Sequence, residues 1–159
     1  MTDRPQLVIL GGTGFLGRVL QDRLATKYDV TVIGRKTSPY HWDARTQGAW
    51  TEVIDGAFAV INLTGRTVDC RYNETNRRQI LQSRVESTRA VGEAIAAATN
   101  PPRVWLNASS ATTYPDSLDQ DRTEDSELDP DGFSEDVCRQ WEAELMAADT
   151  PNTRRVAMR

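Results

Sequence analysis

Gly11, Gly14 and Gly17 recur every third residue in "LVILGGTGFLGRVL", with Gly12 and Thr13 inside the first interval and Phe15 and Leu16 inside the second. Positions without a side chain let the main chain approach a ligand that is held by amides. The apolar run "QLVIL" (6–10) before the glycines reads as a buried strand. The residues after them read as a helix. The first amides of that helix point along a dipole that favours an anion. In this setting the spacing predicts a cradle for the pyrophosphate of a dinucleotide. Gly11 would allow the tight exit from the strand, Gly14 the approach of the pyrophosphate, and Gly17 the close packing of the helix on the sheet.

The next apolar run, "DVTVI" (29–33), is followed by Gly34, Arg35 and Lys36. Many NAD-binding folds carry an acidic residue here, bonded to the ribose 2′-hydroxyl. A carboxylate would repel a 2′-phosphate, whereas a guanidinium can clasp one. Arg35 and Lys36 therefore point to NADP(H) in preference to NAD(H).

The elements that would position these groups alternate along the chain. A helix is expected from Thr13 to Lys27, with Phe15, Leu16, Val19, Leu20 and Leu24 at helical spacing. Residues 36–56 are polar and vague, with a short third strand expected near His41–Trp42 and a brief helix around Ala49–Ile54. "AFAVINL" (57–63) reads as a strand, and a long helix follows from about Thr75 to Thr99, stopped by "NPP". "RVWLNAS" (103–109) is another strand. The acidic run 115–132 reads as a solvated loop, and Ser134 as the cap of a helix reaching about Ala148. "RRVAM" (154–158) begins a last strand. Such alternation predicts an α/β fold, a parallel sheet covered on both faces and layered αβα. With the glycine loop after its first strand, it is expected to resemble the doubly wound Rossmann type, in strand order 3-2-1-4-5-6.

Composition narrows the function classes. The 159 residues suit one domain. A net charge of −4 argues against nucleic acid or an anionic membrane as the partner, and leaves a small molecule. The apolar runs are too short to span a bilayer, and the first residues do not resemble a secretory signal, so the sequence reads as cytoplasmic. Cys70, Cys138 and the single His41 match no metal-ligand spacing.

Taken together, Gly11–Gly17, Arg35, "VINLTG" (60–65), "RYN" (71–73), "SRVEST" (83–88), "SSATTY" (109–114) and "FSEDVCRQWE" (133–142) resemble the extended short-chain dehydrogenase/reductases. More closely, they resemble the NAD(P)-dependent epimerase/dehydratase branch and its sugar-nucleotide epimerase or cell-division-inhibitor-like subgroup. The resemblance implies that Asn62, Leu63, Thr64 and Gly65 run along the ribose and nicotinamide side of the cofactor. It implies that Ser110 bonds the reacting substrate oxygen, with Ser109 the adjacent alternative. It also implies pairing of the long helix and the 135–148 helix with a second copy, and a C-terminal substrate-binding lobe that the sequence does not carry.

One departure concerns proton transfer. Active members of the wider family use Tyr-x-x-x-Lys. Here Phe133 and Val137 stand at those positions, and phenylalanine cannot exchange a proton. Tyr114 is a candidate for the missing hydroxyl, and Cys138 a weaker one. Arg71, Arg77, Arg78 and Arg84 crowd the start of the long helix, either as a rim for a phosphate-bearing substrate or as a solvated face. Two functions fit. One is an NADP(H)-binding oxidoreductase or epimerase/dehydratase domain acting on a nucleotide sugar or small carbonyl or hydroxyl compound. The other is a catalytically silent dinucleotide-binding module.

Overall fold

In a computed structural model, which describes residues 4–37, 39–129 and 131–159, five parallel strands form one sheet. They are β1 (Gln6–Leu10), β2 (Asp29–Ile33), β3 (Ala59–Asn62), β4 (Val104–Ala108) and β5 (Arg154–Met158), in spatial order β2-β1-β3-β4-β5. Three α-helices connect them, α1 (Phe15–Leu24), α2 (Glu74–Ala97) and α3 (Phe133–Ala147), and the β2–β3 connection carries a short 3-10 helix, Ala49–Val53, where a brief helix was expected. The doubly wound α/β architecture expected from the sequence is present. Among the described residues no helix is long and apolar enough to cross a membrane.

Strand alternation sends Val8, Leu10, Ile33, Val60 and Trp105 to one face of the sheet, where Val91 and Ile95 of α2 and Leu145 of α3 complete the larger core. Each such aliphatic side chain contributes about 1.5–3 kcal/mol on burial. Trp42 and Trp50 stack at 4.7 Å under this core, and both indoles donate to the Thr46 carbonyl. The opposite face buries Leu7, Ile9, Ala59 and Ile61 against Leu20 and Leu24 of α1. Phe58, Val104, Leu106 and Met158 on that side are only half-buried.

Three details differ from the sequence expectations. First, α1 carries two apolar stripes, and the inward one is Gly17, Leu20 and Leu24. Phe15 (83% exposed), Leu16 and Val19 face outward, because the close approach is made where there is no side chain. Second, the expected third strand is a single parallel bridge between Gly34 and His41, on the outer side of β2. Its continuation is prevented by a turn in which Asp43 accepts from the Arg45 and Thr46 amides and Ala44 adopts φ 71°. Third, α3 begins at Phe133, with Gly132 and not Ser134 at the N-cap. Gly132 has φ 108°, and the Glu135 carboxylate occupies the space a Cβ would need. The acidic run is, as expected, largely exposed and irregular, tied back where the Asp129 amide donates to the Thr113 carbonyl; Pro130, within it, lies outside the described residues.

Candidate cofactor and substrate cavities

The glycine loop joins β1 to α1 along one wall of a cavity of about 930 Å³. Gly11 has φ 72°, and a Cβ on it would come within 3.0 Å of the Leu63–Thr64 backbone. A left-handed backbone and a tight approach thus coincide there. A Cβ on Gly17 would lie 2.4 Å from Gly12 Cα, so this glycine seats the helix on the loop's own backbone and not directly on the sheet. Gln21 locks the arrangement, with its Nε2 donating to the Gly12 and Gly17 carbonyls at 2.7 and 3.0 Å. Gly14 is different: a Cβ there would meet only the Gly11 carbonyl, at 3.7 Å, and the residue lines the cavity. As N-cap of α1 it offers no side-chain acceptor to the first-turn amides. Those donors face the end of the helix dipole that attracts anions.

Gly11, Thr13 and Gly14 line this cavity, together with Arg35, Leu63, Thr64 and Gly65. Gly12 and Gly17 are buried behind it, while Phe15 and Leu16 lie on the exposed side of α1. Lys36 is exposed and is not part of the wall. Thr37 shapes the turn that carries Arg35: its hydroxyl accepts from the Gly34 amide at 2.8 Å. Asn62 is fully buried beneath the wall. Its Nδ2 donates to Asn107 Oδ1, and its own Oδ1 accepts from the Thr64 amide at 3.1 Å. Asn62 thus holds the loop's conformation from below. The Thr64 hydroxyl is buried with no hydrogen-bond partner, which leaves a polar group at the wall for a ligand to satisfy.

The opposite wall was not apparent from sequence. Trp42, Asp43, Ala44 and Arg45 form it, with Arg45 paired to Glu86 of α2 at 2.8 Å. The Thr46 amide is the chief reason the Asp43 carboxyl is held below its ordinary range; slight burial opposes it, and the Arg45 amide and Thr46 hydroxyl assist. The local signal is Asp43-x-x-Thr46, an Asx turn.

A second cavity, of about 270 Å³, opens where β4 ends and α3 begins. Ser110 caps a short 3-10 turn (Ala111–Thr113) and accepts from the Thr112 amide and hydroxyl. Both Ser109 and Ser110 border the cavity, but the Ser109 hydroxyl is committed to Glu142 at 2.5 Å. Glu142 also binds Arg159. Burial pushes the Glu142 carboxyl upward, yet the hydrogen bonds from Arg159 and Ser109 and the Arg159 charge leave it below its ordinary value. Tyr114 is not part of this cavity wall; its hydroxyl accepts from Arg159 at 2.8 Å, and its ring lies under the same guanidinium.

Phe133 and Val137 both border the second cavity, with Tyr72 edge-on to Phe133 at 5.5 Å. Cys138 lies at its base, 3.6 Å from the Thr112 hydroxyl. Burial pushes its thiol pKa up, against the Thr112 hydrogen bond and the charge of Arg84, so the protonated thiol predominates at neutral pH. Among the described residues, no three His, Cys, Asp or Glu side chains gather as a metal site.

Comparison with known proteins gives a consistent picture. Residues 7–135 match the NAD dependent epimerase/dehydratase family. The epimerase family protein SDR39U1 of Bos taurus is 33% identical over 97% of this chain and 53% of its own length. Epimerase family protein SH2119 of Staphylococcus haemolyticus is 30% identical over 86% of this chain and 48% of its own length. The chain thus spans about half the length of the curated relatives it matches. Human SDR39U1, solved with NADPH, superposes with a TM-score of 0.79 at 30% identity, covering 97% of this chain and 52% of that one. A nucleoside-diphosphate sugar epimerase from Corynebacterium glutamicum gives 0.81 at 28% identity, covering 99% of this chain and 34% of that one.

Proposed function

Because the chain belongs to the NAD dependent epimerase/dehydratase family, we propose that it binds NADP(H) in the larger cavity and meets a small carbonyl or hydroxyl substrate, such as a nucleotide sugar, at the smaller one. The observation that carries this reading is the glycine cradle. Gly14 opens into the cavity beside uncapped amides of α1. The unpartnered Thr64 hydroxyl and the bordering Arg35 fit the same cofactor.

In this reading the α1 amides hold the pyrophosphate. Arg35 pairs with the adenosine 2′-phosphate. Leu63, Thr64 and Gly65 flank the ribose and nicotinamide side. A nicotinamide, when bound, supplies hydride chemistry. Ser110 donates to the reacting substrate oxygen, while Ser109, Glu142 and Arg159 brace the strand ends behind it. Phe133 closes the apolar side of the substrate cavity where proton-exchanging relatives carry tyrosine.

Titration with NADPH and NADH, followed by intrinsic tryptophan fluorescence, tests the cradle; no binding of either at saturation would refute it. Oxidation or reduction assays across nucleotide sugars and small carbonyl compounds, with Ser110→Ala as control, test the chemistry. Turnover abolished by that substitution supports the assignment. Cofactor binding without any turnover would make the chain a binding module.

A further inference from the structure

We infer that the smaller cavity binds a small anion, a carboxylate or a phosphate monoester, on the guanidinium of Arg84. This deepens the proposed function by assigning the chemistry of the substrate's charged group.

Arg84 projects from α2 into this cavity and is half-buried. Its Nη1 donates to the Ile80 carbonyl at 3.0 Å and the Arg66 carbonyl at 3.2 Å, and its guanidinium lies 5.1 Å from the Trp141 ring centroid. These contacts fix its position without neutralising its charge. Among the described residues no carboxylate pairs with it. Five positions further along the same helix, the exposed Arg89 is clasped by both oxygens of Glu144 at 2.8 Å. The outward arginine thus has a counter-ion, and the inward one has none.

The cavity supplies no substitute. No aspartate or glutamate borders it, and nearby Glu142 is committed to Arg159 and Ser109. Burial lowers the Arg84 pKa from its ordinary value, with Cys138 and Tyr72 opposing, but a guanidinium remains charged at neutral pH. A partly desolvated cation without a counter-ion is costly, and an incoming anion relieves that cost. Ser110 and Ser134 add hydroxyls to the same wall, while Tyr72, Phe133 and Val137 provide an apolar lining for the rest of the molecule. Position matters too: a Cβ on Gly65 would lie 3.4 Å from Arg84 Cζ, so the guanidinium backs onto the loop that forms the wall of the larger cavity.

The test uses the intact chain and three aromatic probes: benzoate, phenyl phosphate and neutral benzamide. Trp141, stacked on Arg84, is the fluorescent reporter. Saturable quenching by benzoate or phenyl phosphate, with benzamide at least about tenfold weaker, is the expected result. The tighter anion identifies carboxylate or phosphate as the preferred group. Arg84→Met should weaken the anion by about tenfold or more, with Arg84→Lys intermediate. Equal binding of benzamide and the anions, or no anion binding at all, would overturn the proposal. So would equal loss of NADPH and anion affinity in Arg84→Met, which would mean that the side chain merely supports the Gly65–Arg66 loop. If Arg84→Met does not fold, Arg84→Lys and the wild-type anion-to-benzamide ratio decide. Because NADPH is titrated separately, failure of the cofactor site is distinguishable from failure of the anion site.

Discussion

Asn62 and Asn107, 45 positions apart, bond side chain to side chain at 2.8 Å across β3 and β4, and neither is open to solvent. The link extends both ways. Thr88 of α2 donates to Asn107, and the Trp141 indole of α3 donates to Thr88. On the other side Asn62 accepts from the Thr64 amide at the wall of the larger cavity. One buried polar thread therefore ties both helices on that face of the sheet to the proposed cofactor loop.

Asn62→Leu should cut this thread. It strands the Thr64 amide and removes one donor from Asn107, and leaving a buried polar group unsatisfied costs about 1–3 kcal/mol. Urea unfolding is expected to show a loss of that size. NADPH affinity should fall as well, because the loop loses its lower anchor; unchanged values in both assays would refute the role given to this pair.

Arg35→Asp is expected to weaken NADPH by about ten- to a hundredfold, the worth of one charge-assisted contact replaced by repulsion. NADH, which lacks the 2′-phosphate, should change far less. Parallel calorimetric titrations of the two cofactors give the comparison directly.

Gly17→Ala places a methyl group where the Gly12 backbone already lies, 2.4 Å from its Cα. The helix must lift or the loop must deform. Overpacking of this kind costs about 1–3 kcal/mol. A matched drop in thermal midpoint and cofactor affinity would locate the damage at the junction of loop and helix; a fully stable variant with unaltered binding would contradict it.

Glu142 sets an acid limit on stability. Its carboxyl pKa is lowered in the folded chain: burial opposes the shift, but Arg159 and Ser109 outweigh it. The folded state therefore binds that proton less readily than the unfolded state. The contribution is complete above the ordinary glutamate value of about 4.3 and is lost as pH falls through the lower folded-state value. Glu142→Gln should destabilise the chain at pH 7 and flatten its acid-side decline, as read from urea midpoints measured between pH 7 and pH 3.

The sequence made some of this molecule legible and hid the rest for physical reasons. Gly11 to Gly17 were readable because a phosphate cradle depends on residue type and short spacing between a strand and a helix. The parallel sheet followed from the alternation of elements, although the expected third strand shrinks to the Gly34–His41 bridge. The packing face of α1 was misjudged because Phe15, Leu16 and Val19 form a second apolar stripe, and periodicity cannot say which stripe meets the sheet. Gly17 was the better clue, since the missing side chain marks the close approach. The wall at Trp42–Arg45 depends on an Asx turn and a left-handed Ala44, neither of which has a periodic signature. The partners of Asn62, Arg84 and Tyr114 come from distant elements, so their surroundings exist only once the sheet has formed.

Among the described residues α1 is the only helix packed on its side of the sheet, and it turns Phe15, Leu16 and Val19 to water. Such greasy ground attracts amphiphilic dyes, whose glow is commonly taken as the mark of a loosened interior. For this protein the glow should belong to the fully ordered state and fade, not brighten, as denaturant dismantles it.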